Sequence, residues 1–161
     1  MANSPPAITR VVIENYKSIA VCDVRLEPLI FLVGRNGAGK SNFLDAFRFL
    51  AEALQSSLDA AMRTRGGFET ICFKTEEPQA YFRMHFELSL PSGETAEYGF
   101  RIARQAHEGY GVVREECRIN HDPSVRPTTK FQMEDGHVLM STIRALGEML
   151  QLGNVPELPR D

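Results

Sequence analysis

The residues with the most chemical potential form one stretch, Gly34-Arg35-Asn36-Gly37-Ala38-Gly39-Lys40-Ser41. Glycines at 34, 37 and 39 can take backbone angles closed to residues with a Cβ, so successive N–H groups can curl around an anion. The spacing matches G-x-x-x-x-G-K-[ST], in which a mobile ammonium meets the β- and γ-phosphates and a hydroxyl reaches Mg2+. Lys40 and Ser41 hold those two places. A helix starting directly after the loop adds unpaired N–H groups and the positive end of its dipole. The chemistry implied is the cradling of a nucleoside triphosphate with its magnesium ion. A dinucleotide fingerprint does not fit: Gly37-Ala38-Gly39 would need a further glycine or alanine at position 42, which is Asn42.

Such a loop needs a strand to deliver it and a helix to receive it. The apolar run Leu29-Ile30-Phe31-Leu32-Val33 reads as the delivering strand, apolar on both faces as a covered α/β sheet requires. Phe43, Phe47, Leu50, Leu54 and Leu58 then recur on one helical face, which continues towards Met62 and stops at Gly66-Gly67. The pattern predicts one helix of about 25 residues, well above the usual length in globular domains. Upstream, Ile8–Glu14 and Ile19–Leu26 read as strands separated by Asn15-Tyr16-Lys17-Ser18. Downstream, Phe68–Phe73, Ala80–Leu90, Ala96–Ala103, Val112–Asn120 and Lys130–Met133 are candidate strands. Pro91-Ser92-Gly93 and Asp135-Gly136 supply hairpin turns. A last helix is expected over Thr142–Leu152, capped by Ser141 and stopped by Gly153.

The 161 residues suffice for one domain with a real core, and 43% apolar with 24% charged residues describes an ordinary globular protein. A net charge of −3 gives no global basic character. Cys22, Cys72 and Cys117 are odd in number and widely spaced, fitting neither a zinc pattern nor a disulfide framework. They read as small buried side chains, and a reducing cytoplasm is the default localisation. No apolar run approaches the roughly 18 residues of a membrane span, so no membrane partner is expected. The domain reading is a disordered lead over residues 1–7, one lobe over 8–153, and a linker or frayed end over 154–161.

Two segments carry a family resemblance. I-x-N-Y-K-S-I (Ile13 to Ile19) and V-G-R-N-G-A-G-K-S-N-F-L-D-A (Val33 to Ala46) resemble the N-terminal lobe of RecF/SMC-type ATPases, a branch of the ABC-type superfamily. From Ala46 to Phe68, A-F-R-F-L to R-G-G-F, the chain looks more narrowly like predicted bacterial AAA-type ATPases related to OLD-family and RecF-like proteins. The likeness is strong over residues 8–68 and rests beyond them on an antiparallel β-subdomain followed by a helix. It implies an α/β fold, the ABC/SMC-like N-terminal lobe of a P-loop NTPase, with that β-subdomain after the first long helix. ATP and Mg2+ are the implied cofactors. Gly34, Arg35, Asn36, Gly37, Ala38 and Gly39 would form the phosphate loop, closed by Lys40, Ser41 and Asn42, with Ser41 on the metal. In that family the segment holding Lys17 lies against the nucleotide, so Lys17 is read as a phosphate contact or else as a solvated turn lysine. Asp45 either orients the metal's water shell or serves as a polar or ion-paired helix residue. Arg63 or Arg65 either approaches the γ-phosphate or ends the helix in solvent.

A complete enzyme of this type needs a signature serine-glycine segment and a strand ending in Asp-Glu, whose carboxylates hold the metal and polarise water. From residue 70 to 161 no run of four apolar residues leads into such a pair, and Glu76-Glu77 and Glu115-Glu116 lack one. No catalytic residue is assigned, and the chain reads as an N-terminal half. The resulting expectation is ATP binding by a RecF/SMC-like head, with hydrolysis in the complete protein, in DNA repair or phage defence. A second head is the expected partner, as a homodimer, and DNA is a further candidate. The alternatives are a non-catalytic nucleotide-sensing or interaction module and a small-molecule or nucleoside kinase, which would need an early lid and acceptor site. Histidines 85, 107, 121 and 137 show no metal spacing. Arg101, Arg104, Arg114, Arg118, Arg126 and Lys130 read as a solvated sheet face or a DNA track, diluted by acidic neighbours.

Overall fold

Side chains that alternate between wet and apolar build one sheet among the described residues. The computed structural model describes residues 6–73, 81–105, 109–121, 129–134 and 137–140. Its strands are β1 (Ala7–Tyr16), β2 (Ile19–Arg25), β3 (Tyr81–Ser89), β4 (Thr95–Gln105), β5 (Gly109–Asn120), β6 (Thr129–Glu134) and β7 (His137–Met140). They form a seven-stranded sheet in the order β2-β1-β3-β4-β5-β6-β7, and every neighbouring pair is antiparallel. Three helices, α1 (Lys40–Gln55), α2 (Leu58–Arg63) and α3 (Phe68–Ile71), lie between β2 and β3 in the chain. On β3, Phe82, Met84, Phe86 and Leu88 are buried while Arg83, His85 and Glu87 take the other face. Registered neighbours continue the apolar face, with Val11 and Ile13 on β1 and Tyr98, Phe100 and Ile102 on β4. Against it pack Phe43, Ala46 and Phe49 of α1. The outer face carries ion pairs, Arg10 with Asp23 and Glu87, and Arg83 with Glu14. At Pro91-Ser92-Gly93 the expected hairpin turn forms, with Leu90 N–H donating to the Glu94 carbonyl at 2.9 Å.

Four sequence expectations are corrected. The run Leu29–Val33 is not a strand: it pairs with none of the described strands, and Leu29, Phe31 and Val33 are 73%, 76% and 90% exposed. A strand apolar on both faces needs neighbours and cover on both sides. The antiparallel sheet ends at β2, whose described partner is β1 alone, and offers this run neither. The long helix is two helices. Ser57 is extended (φ −167°, ψ 159°) and its side chain accepts the Ala60 N–H at 3.1 Å, so a capping serine starts α2 where the apolar stripe would run on.

The buried line of α1 is Phe43-Ala46-Phe49, while Phe47 and Leu50 are only partly buried. Both lines obey helical spacing, and the angle at which α1 crosses the sheet selects one. Finally, Phe68–Phe73 is not a strand but begins as the short helix α3. Gly67 takes a positive φ (88°, with ψ 176°), Phe68 and Ile71 are buried, and the spacing of three between these anchors suits a helical turn. β7 was not foreseen. The Asp135-Gly136 turn and the helix over Thr142–Leu152 lie outside the described residues.

Candidate phosphate-binding site

After β2 the chain runs without regular structure to α1, and its last residues form the glycine loop. Gly37 (φ 83°) and Gly39 (φ 86°) both occupy the left-handed region that a side chain would strain. Ala38 N–H donates to the Arg35 carbonyl at 3.2 Å, closing a tight turn over Asn36 and Gly37. Gly39 is the last residue before α1, and Phe43 N–H donates to its carbonyl at 2.9 Å. No side chain caps α1, and its first turn holds no acidic residue. The opening N–H groups of this helix are therefore free to meet an anion. Lys40 folds back across the loop, its Nζ donating to the carbonyls of Gly34 at 2.6 Å and Arg35 at 2.8 Å. Ser41 and residues 34–38 face solvent.

The turn joining β1 to β2 sits directly on this loop. Asn15 (φ 56°) and Lys17 (φ 51°) are the two described non-glycine residues with positive φ. That strained backbone is pinned from α3's end, where Lys17 N–H donates to the Ile71 carbonyl at 2.5 Å and Phe73 N–H to the Asn15 carbonyl at 2.8 Å. Ser18 Oγ accepts from Asn42 Nδ2 at 2.6 Å, and a Cβ on Gly39 would come within 3.2 Å of the same oxygen. Gly39 thus needs its missing side chain for close approach as well as for φ. Asn42, expected to close the loop, spends its amide on this tie.

One carboxylate gathers the rest. Asp45 Oδ2 accepts from Tyr16 Oη at 2.7 Å and from Arg65 Nε at 3.1 Å, and pairs with Lys17 Nζ at 2.5 Å. Arg65 continues to Glu52 Oε2 at 2.6 Å and the Ala61 carbonyl at 2.8 Å, and stacks its guanidinium 5.3 Å from the Phe49 ring centre. Burial alone would push the Asp45 carboxyl up, but the hydrogen bonds from Lys17, Tyr16 and Arg65 outweigh it and hold the group below its ordinary range. Burial, with the bond to Asp45, pushes the Tyr16 phenol up. Of the readings left open for Asp45, the ion-paired helix residue is the one observed. Arg65, with a side chain only 7% exposed, braces the helix corner, while Arg63 is exposed. Sequence reasoning missed Tyr16 and Glu52 as members. The one available signal was that Glu52 follows Asp45 by two helical turns on one face.

Elsewhere the chemistry is structural. Glu115 accepts from Tyr98 Oη at 2.7 Å and Glu116 pairs with Arg114. Among the described residues no cluster of histidine, cysteine, aspartate or glutamate could hold a metal ion, and no helix is long and apolar enough to cross a membrane.

The family profile described as AAA domain, putative AbiEii toxin, Type IV TA system, matches residues 29–141, well over half of the chain. The chain belongs to that family. The matched segment of this AAA domain begins with the exposed apolar run and takes in the glycine loop, all three helices and β3 to β7. It is similar to the DNA replication and repair protein RecF of Porphyromonas gingivalis, 55% identical over 40 residues, which cover 24% of this chain and 11% of that protein. To RecF of Actinobacillus succinogenes it is 28% identical over 109 residues, 67% of this chain and 27% of the relative. The AAA domain therefore spans about a quarter or less of the length of the curated relatives it matches. A solved chain from work on ATP-driven dimerization and DNA stimulated activation of SMC ATPases is similar with a TM-score of 0.44 and 19% identity, over 90% of this chain and 76% of that one. The AAA-type domain implied by the sequence resemblance is the family the chain belongs to, and the chain is similar to RecF over two thirds of its length.

Proposed function

We propose that this lobe binds ATP with Mg2+ and that the complete protein hydrolyses it. The observation that carries the reading is Lys40, folded over a glycine loop at the uncapped start of α1. N–H groups of Gly34–Gly39 and the first turn of α1 would hold the phosphates. Lys40 would exchange its loop carbonyls for phosphate oxygens, and the exposed Ser41 hydroxyl would take the metal. When bound, ATP–Mg2+ supplies a phosphoanhydride whose charge the ion already partly neutralises. Asp45 is occupied by Lys17, Tyr16 and Arg65, and no Asp-Glu pair follows an apolar run in the sequence. The water-activating carboxylate then belongs to another part of the complete protein.

The exposed run Leu29–Val33 supports the same division. Apolar side chains exposed in sequence this close to a binding loop mark a surface that something covers. Further strands of the complete protein, laid beside this run, would bury it and firm the loop it delivers. A second head closing on the nucleotide, cytoplasmic location, kinship with OLD-family proteins and service in DNA repair or phage defence extend the same reading. Calorimetric titration of ATP–Mg2+ into the chain, with Lys40→Ala beside it, tests the core of the proposal. Binding that Lys40→Ala weakens at least about tenfold is expected, since a charge-assisted contact is lost. Equal affinities would refute it. Phosphate release is expected to stay at background in both proteins.

A further inference from the structure

The Lys17–Asp45 pair is placed unusually for a structural ion pair. Lys17 belongs to the turn whose next residue, Ser18, accepts from Asn42 and lies 3.2 Å from where a Gly39 Cβ would sit, and its ammonium rests on Asp45 in the second turn of α1. Its side chain is 24% exposed and its backbone is anchored to Ile71 independently of the ammonium. Asp45 lies one helical turn beyond Ser41 and keeps two other donors, Tyr16 Oη and Arg65 Nε, whatever Lys17 does. A half-buried carboxylate stripped of every partner would be costly, but one that retains two is not. Lys17 can therefore leave Asp45 without stranding it, while its own turn stays fixed.

We propose that Asp45 and the phosphates of a bound nucleotide compete for Lys17, so that Asp45 is a positioning residue that sets nucleotide affinity by withholding a cation. The inference rests on the nucleotide reading above and adds a regulating element to that site. Removing the competitor should strengthen binding, the opposite of what loss of a structural anchor does. The sign is decisive because Arg65 and Tyr16 would hold an asparagine at position 45 much as they hold the aspartate, through its amide oxygen.

The test is a fluorescent-ATP titration with Mg2+ of wild type, Asp45→Asn, Lys17→Met, the double variant and Lys40→Ala. Asp45→Asn should tighten binding about three- to tenfold, the size of a coupling through one partly exposed pair. Lys17→Met should weaken it, and the double variant should bind no tighter than Lys17→Met alone. Weaker or unchanged binding in Asp45→Asn, or a gain that survives in the double variant, overturns the proposal. Wild type binding no better than Lys40→Ala refutes the nucleotide reading itself, and this inference with it. Should Asp45→Asn fail to fold, NMR of wild type with 13Cε-labelled lysine decides, the Lys17 signal being assigned by its loss in Lys17→Met. Lys17 and Lys40 signals should both move on adding ATP–Mg2+, and a Lys17 signal that stays put while Lys40 moves overturns the competition.

Discussion

Truncating Phe49 to alanine should cost this domain more stability than any other single change on α1. The ring is fully buried and meets Tyr16, Phe82 and Phe100 at centroid distances of 6.0, 5.5 and 6.2 Å. It also carries the Arg65 guanidinium on one side. Phenylalanine-to-alanine changes at such sites cost about 3–5 kcal/mol, the transfer of the ring plus the cavity it leaves. Its edge-on ring contacts each add about 0.5–1.5 kcal/mol, which places this site towards the upper end. At about 2–4 °C per kcal/mol for a chain of this size, the melting temperature should fall by about 10–15 °C. Phe47, partly buried and touching Phe43 and Phe86, should lose about half as much as Phe49 when truncated. Exposed Arg48→Ala should stay within about 0.5 kcal/mol of wild type. Urea melts followed by circular dichroism at equal m-values give all three numbers. A larger loss at Phe47 than at Phe49 would refute the packing of α1 described here.

Arg65→Met should lower the melting temperature by about 4–8 °C, because it leaves Asp45 and Glu52 without their shared guanidinium, whereas exposed Arg63→Met should not. Equal melting temperatures would reduce Arg65 to a surface residue. Asp45 titrates below its ordinary 3.8 in the fold, so its contribution is fully present above that value and is lost as pH falls through the lower, folded one. Urea midpoints measured from about pH 7 to pH 3 should therefore drop at the acid end, and more gently in Asp45→Asn. The thiols should react slowly with a disulfide reagent at neutral pH, since burial pushes Cys72 up to about 11 and Cys117 up to about 12 and also raises Cys22. Prompt reaction is expected after unfolding, and a fast thiol in the folded protein would contradict the burial.

The glycine loop, the helix that follows it and most strands were legible in the residues because each depends on local preference. Gly37 and Gly39 sit at positive φ where the motif asks for freedom, and the alternation from Tyr81 to Leu90 reappears as β3 with its faces as read. Backbone angles and a period of two are properties of neighbours in sequence, so the sequence alone determines them. Other features depend on which surfaces meet. Leu29–Val33 has the composition of a buried strand, yet no described strand is placed to pair with it, and it lies exposed. Phe47 and Phe49 fit helical stripes equally well, and only the crossing of α1 over β1, β3 and β4 puts Phe49 inside. Asp45 could have faced metal, solvent or a partner. Its role was decided by bringing Tyr16, Lys17 and Arg65, far from it along the chain, to one oxygen. Strand pairing, burial and charge pairing are interactions between distant segments, and their energies exist only once the tertiary fold has chosen the neighbours.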